Sequence, residues 1–161
     1  MSSSRTRKRR VLILGIGNYL MGDEGVGIHA VRYLEEHNWQ EKADILDGGT
    51  GGLPLLSLFS RYERVILIDA TADGSTPGTV KVRRPRFAAD YPPSLGAHDL
   101  GLKDLVEAAT LLDELPLIDL VTISIRPEDR LSTRLSEAVQ KALPVAEKKV
   151  SELLRDKESQ R

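Results

Sequence analysis

The chain has no cysteine among its 161 residues, which excludes disulfides, thiolate metal sites and a cysteine nucleophile together. It also lacks an excess of either charge. Lys and Arg number 23 against 24 Asp and Glu, a formal net charge of -1, so no overall field favours nucleic acid or an anionic membrane. No apolar run approaches the roughly 18 residues that span a bilayer. A secretory signal needs a longer apolar run than Val11–Ile16. No serine stands in a G-x-S-x-G elbow, and no loop ends in the Gly-Lys-Ser/Thr of a phosphate cradle. These absences make a cytoplasmic protein without nucleic-acid or membrane partners the expectation.

What is present suits one globular domain with a sizeable core. Residues 1–9 form a basic leader expected to be disordered, residues 10–155 the domain, and 156–161 a polar tail. Val11–Leu14 is an apolar run of the kind found in a strand covered on both faces. Glu24 to His37 carries Val26, Ile28, Ala30, Val31 and Leu34 at helical spacing. Further strands are predicted at Ala43–Leu46, Val65–Ile68 and Asp119–Ile125, with a half-exposed edge strand at Thr79–Val82. Helices are predicted at Leu53–Ser60, Leu100–Leu112 and Ser132–Arg155, the last kinked or broken at Pro144. Pro85–Ala97 reads as an ordered loop. Strands alternating with helices make this an α/β domain.

The most informative segment runs from Val11 to Ile28, a strand entering a glycine turn and then a helix. Gly15 and Gly17 begin a G-x-G-x-x-G dinucleotide fingerprint, but Leu20 occupies its third glycine position. Asp23 and Glu24 stand at the helix entrance, where they would repel a phosphate. A small nucleotide-binding regulator is therefore the weakest reading. Ligands of open α/β sheets sit beyond the carboxyl ends of the strands. Glu24 follows the first strand, Asp47 ends the second and Asp69 ends the third, so three acids are expected on one rim. His98, in a glycine-flanked loop before a helix, could bring an imidazole to them. Glu, Asp and His suit a borderline divalent ion such as nickel or zinc. The same carboxylates also suit metal-free acid/base work, and the residue pattern leaves both open.

Gly15-Ile-Gly-Asn18, Gly22-Asp-Glu-Gly-Val-Gly27, Asp47-Gly-Gly-Thr50, Ile68-Asp-Ala70, Pro77-Gly-Thr79 and His98-Asp-Leu-Gly-Leu102 form an ordered set. In that order and spacing the chain resembles the hydrogenase maturation endopeptidases, which trim the C-terminal extension of nickel–iron hydrogenase large subunits. The similarity runs from about Arg10 to Leu154. It implies a three-layer α/β/α sandwich with a five-stranded, mostly parallel twisted sheet and one antiparallel edge strand. It implies metal contact by Glu24, Asp69 and His98, with Asp47, Gly48, Gly49 and Thr50 in the substrate-cleavage region. The implied metal is nickel carried by the substrate, with zinc or cadmium able to replace it in crystals. Glu24, Asp47 and Asp69 are the candidate catalytic acids of an aspartic-type endopeptidase grouping. The implied partner is the hydrogenase large-subunit precursor; the chain's length suits a monomer or weak dimer. The alternative of another class is a nickel-checking chaperone that does not cleave.

Overall fold

A computed structural model describes residues 9–92, 102–113 and 115–156. Five strands, β1 (Arg9–Gly15), β2 (Asp44–Asp47), β3 (Tyr62–Thr71), β4 (Val80–Arg83) and β5 (Leu117–Ser124), form one sheet in the order β2-β1-β3-β5-β4. β1, β2, β3 and β5 run parallel, and the edge strand β4 pairs antiparallel with β5. Alternate side chains of the central strands enter two separate cores. Val11, Ile13, Ile66, Ile68, Val121 and Ile123 pack beneath α1 (Val26–Glu36) and α5 (Ala142–Arg155). Leu12, Leu14, Val65, Leu67 and Leu120 pack beneath α2 (Leu56–Phe59) and α3 (Leu102–Leu111). This explains the continuous apolar runs: both faces of the strand lie in a core. The three-layer sandwich with one antiparallel edge strand is the architecture expected. Among the described residues no helix is long and apolar enough to cross a membrane.

Three expected elements differ. Asp69 lies within β3 rather than at its end, because pairing with β5 continues to Thr71 opposite Ser124. The predicted helix Ser132–Arg155 begins only at α4 (Glu137–Gln140), and α5 follows after Lys141. The break falls before Pro144 because that residue has no N–H to give to the Gln140 carbonyl and its ring crowds it. The helix predicted over Leu53–Ser60 divides into a 3-10 turn, Leu53–Leu55, and the short α2. The leader Met1–Lys8, the later part of the Pro85–Ala97 loop, His98 and the end of the polar tail lie outside the described residues.

Candidate functional site

At the carboxyl edge of the sheet, Gly15 faces Asp47 across one neighbour and Ile68 across the other. Backbone hydrogen bonds continue the lacing past the strands. Ile16 N–H donates to the Ile68 carbonyl at 3.0 Å, Gly48 N–H to Gly15 at 2.8 Å, and Gly17 N–H to Gly49 at 2.8 Å. Two glycines then bring the next helix down onto this edge. A Cβ on Gly27 would lie 2.2 Å from the Ile16 carbonyl oxygen and 2.4 Å from that of Ile68. One on Gly17 would lie 2.4 Å from the Glu24 carbonyl oxygen. Any larger residue would lift the 3-10 turn Gly22–Gly25, and Glu24 with it, away from the strand ends. As it is, that turn packs against β3.

Glu24 and Asp69 are both half-buried. One Asp69 carboxylate oxygen accepts the Ala70 N–H at 2.8 Å, which fixes the head of the side chain. Asp69 shares strand parity with Val65 and Leu67 and so emerges on the α2–α3 side. The following residue, Ala70, packs in the opposite core. Asp47 shares parity with Ile45 and points to the α1 side. It is exposed; one oxygen accepts the Gly49 N–H at 2.8 Å and the other lies 3.7 Å from the Arg32 guanidinium on α1. Two strand spacings, roughly 10 Å of backbone, also separate β2 from β3. The structure thus places the three acids on one edge without gathering Asp47 and Asp69 on one face. Among the described residues no group of three His, Cys, Asp or Glu side chains is arranged to hold a metal ion. His98 is outside that set.

Gly48 is half-buried, while Gly49 and Thr50 are exposed. Gly49 has φ of 58°, and nothing lies within 4 Å of where its Cβ would be. A left-handed turn open to solvent lets an approaching backbone come close.

Asp23, the other acid of the turn, has a different task from Glu24. Its two carboxylate oxygens accept the Ser136 N–H and the Ser136 hydroxyl, each at 2.7 Å. Ser136 is the residue preceding α4. Gly22 N–H also donates to the Ser132 carbonyl at 2.7 Å, and Ser132 N–H to the Leu20 carbonyl at 2.9 Å. Together these bonds strap the 126–136 segment to the Glu24 turn. Between the two lies a cleft of about 280 Å³ lined by Met21, Asp23, Glu24, Arg126, Arg130 and Arg134 among others. These arginines were not among the expected site residues. Their signal is a spacing of four after the last strand, at the carboxyl edge of the sheet. His29, on α1 beside the same turn, stacks 5.1 Å from Tyr19. Burial, then the Arg32 charge, lowers its pKa below the ordinary histidine value, against the opposing pull of the Thr133 backbone and Asp23.

The family profile HycI, hydrogenase maturation protease, matches residues 28–153. The hydrogenase expression/formation protein HupD of Bradyrhizobium diazoefficiens is 38% identical over 129 residues, 77% of this chain and 66% of that protein. Across the HupD relatives it matches, the chain spans about half to two thirds of their length. The hydrogenase 2 maturation protease of Escherichia coli K12 is 31% identical over 141 residues, 83% of this chain and 86% of that one. The solved structure of the hydrogenase maturating endopeptidase HybD from E. coli superposes with a TM-score of 0.79 at 30% identity, covering 92% of this chain and 93% of the other. An α/β sandwich of the same topology class, carrying the ordered glycine and acid motifs at its carboxyl edge, is therefore no chance likeness: the chain belongs to the hydrogenase maturation protease family.

Proposed function

We propose that this protein is an endopeptidase that removes the C-terminal extension of a nickel–iron hydrogenase large-subunit precursor once nickel has been inserted. Family membership supports the peptidase reading. The observation that carries the site assignment is the close approach at Gly17 and Gly27, which holds the Glu24 turn against β3, the strand that bears Asp69. In this reading Glu24 and Asp69, joined by His98, contact the nickel that belongs to the substrate. Carboxylate and imidazole donors suit such a borderline ion. Asp47 keeps the Gly48-Gly49-Thr50 turn in shape through its bond to Gly49, and the precursor backbone lies along that turn.

Cleavage adds water across the scissile amide. The oxygen joins the carbonyl carbon, the C–N bond breaks, and the leaving nitrogen takes a proton. An acid of the rim accepts the proton of the attacking water and returns it to the leaving amine. The half-buried Glu24 and Asp69 suit this exchange better than Asp47, which is exposed and engaged with Gly49 and Arg32. The aspartic-type grouping rests on this use of carboxylates, and the cytoplasm is the compartment where a folded, metal-loaded precursor would be met.

Purified protein incubated with nickel-loaded and with nickel-free precursor, followed by intact-mass spectrometry, tests the reading. Loss of the tail from the loaded form alone is expected. Equal processing of both forms overturns nickel sensing. An unchanged precursor mass in the presence of bound protein overturns the protease reading and restores the non-cleaving chaperone.

A further inference from the structure

The cleft beside Glu24 has one wall made from the turn that carries the site and one from the segment after β5. Arg126, Arg130 and Arg134 all line the second wall and are exposed. Elsewhere in the protein, arginines close to a carboxylate engage it: Arg64 and Arg84 each reach Asp119 at 2.7 Å. The cleft arginines do not. Among the described residues none of the three forms an ion pair or donates a side-chain hydrogen bond. Of the acids that line the same cleft, Asp23 spends both oxygens on Ser136, and Glu128 pairs with no arginine among the described residues. A planar guanidinium with its forked donors unengaged is the group best matched to a carboxylate.

The wall is also fixed in position relative to the reacting edge. Its end is strapped to the Glu24 turn by the Gly22–Ser132, Ser132–Leu20 and Asp23–Ser136 bonds. Beside the arginines the same strap sets two exposed leucines next to each other in the chain pairing, Leu20 at 59% and Leu131 at 80% exposure. Arginine beside apolar side chains is the composition of a protein-recognition surface.

We infer that Arg126, Arg130 and Arg134 bind acidic side chains of the precursor polypeptide, seating an extended, carboxylate-bearing segment in the cleft beside Glu24. That the segment belongs to a hydrogenase precursor rests on the protease reading; that the wall prefers carboxylates does not. The cleft holds only a few residues, so the contact is to a short stretch adjoining the cleavage point. Three charge-assisted contacts at one edge would set the register of the chain on the enzyme and select among precursors.

Fluorescence anisotropy with a labelled peptide of alternating Glu and Gly, and with its twin carrying Gln for every Glu, tests the inference without needing cleavage. The Glu peptide is expected to bind about tenfold or more tightly than the Gln peptide. The R126A/R130A/R134A variant should lose that discrimination, the corresponding triple Lys variant should keep part of it, and Arg61→Ala, an exposed arginine before β3, should keep all of it. Equal binding of the two peptides by the native protein, or discrimination retained by the triple Ala variant, overturns the inference. With nickel-loaded precursor, the triple Ala change should raise KM about tenfold more than it lowers kcat; an unchanged KM also overturns it. A protein that separates the two peptides yet trims no precursor supports the cleft assignment and defeats the protease reading instead.

Discussion

The two ends of the sheet both hold charge, on opposite terms. At the amino end Asp119 is fully buried, and its two oxygens accept from Arg64 and Arg84 at 2.7 Å each. Arg64 is itself buried, while the Arg84 side chain is 43% exposed. At the carboxyl end Glu24 and Asp69 are half-buried on a glycine-laced edge, and three cleft arginines have no ion-pair partner among the described residues. Charge neutralised inside the fold, with every carboxylate oxygen engaged, is a structural element. The three exposed guanidinium groups at the other edge, with no ion-pair partner among the described residues, are open to something from outside. The first end should therefore answer to mutation in stability and the second in activity.

The largest effect belongs to the carboxyl end. Asp69→Asn and Glu24→Gln keep side-chain shape and remove charge, so each should slow precursor processing by about 10²–10⁴-fold. Their melting temperatures should stay near that of the native protein. A fully active Asp69→Asn protein would remove that carboxylate from the site. The amino end supplies the converse. Asp119→Ala strands two guanidinium groups, one of them buried, and should lower the unfolding free energy by about 3–5 kcal/mol in denaturant titrations. Turnover per folded molecule should be unaltered. A stable Asp119→Ala protein, or one with altered kcat, would erase the contrast between the two ends.

Asp23 lies between these extremes, since it is a structural brace inside the functional edge. Asp23→Ala should cost about 1 kcal/mol of stability for its lost hydrogen bonds and raise KM for precursor, because the arginine wall loses its tie to the Glu24 turn. Chemical denaturation together with a kcat and KM split would show a purely structural role if KM did not move.

The smallest effect is set by His29. Burial and the Arg32 charge hold its folded pKa below the ordinary value of about 6.5. The unfolded chain therefore takes up the proton first as pH falls. Stability should be full above about pH 6.5 and decline through the window below it, down to the folded value. Thermal melts at about pH 8 and about pH 5 should show a drop that shrinks in His29→Gln. An equal drop in both proteins would place the acid sensitivity elsewhere.

Much of this architecture is legible in the sequence because the central strands are apolar on both faces and α1 carries its stripe at helical spacing. The edge strand β4 shows itself through alternation, one residue from its observed start. Other features depend on partners that local pattern does not reveal. β3 begins at Tyr62, three residues before the predicted strand, because Arg64 is neutralised by Asp119, 55 positions away. The last helix is expected from Ser132, yet Asp23 and Gly22 capture the backbone of Ser132–Ser136. The candidate acids are visible as strand-end residues, whereas their facing is not. In strands hydrophobic on both sides, parity carries no label, so the opposed directions of Asp47 and Asp69 emerge only from which core each neighbour joins. The arginine wall is hidden for a similar reason: three exposed charges after a strand look like solvated surface until the strap to Leu20 and Gly22 sets them beside Glu24.

The proposed function has Glu24, Asp69 and His98, far apart along the chain, contacting a single ion. Anomalous diffraction from a crystal soaked with cadmium addresses it without any assumption about the substrate. One strong peak is expected, bonded to a carboxylate oxygen of Glu24, a carboxylate oxygen of Asp69 and a ring nitrogen of His98. The peak should be absent from the Asp69→Asn protein. A peak elsewhere, on Asp47 alone for example, or one that survives that substitution unchanged, would contradict that reading.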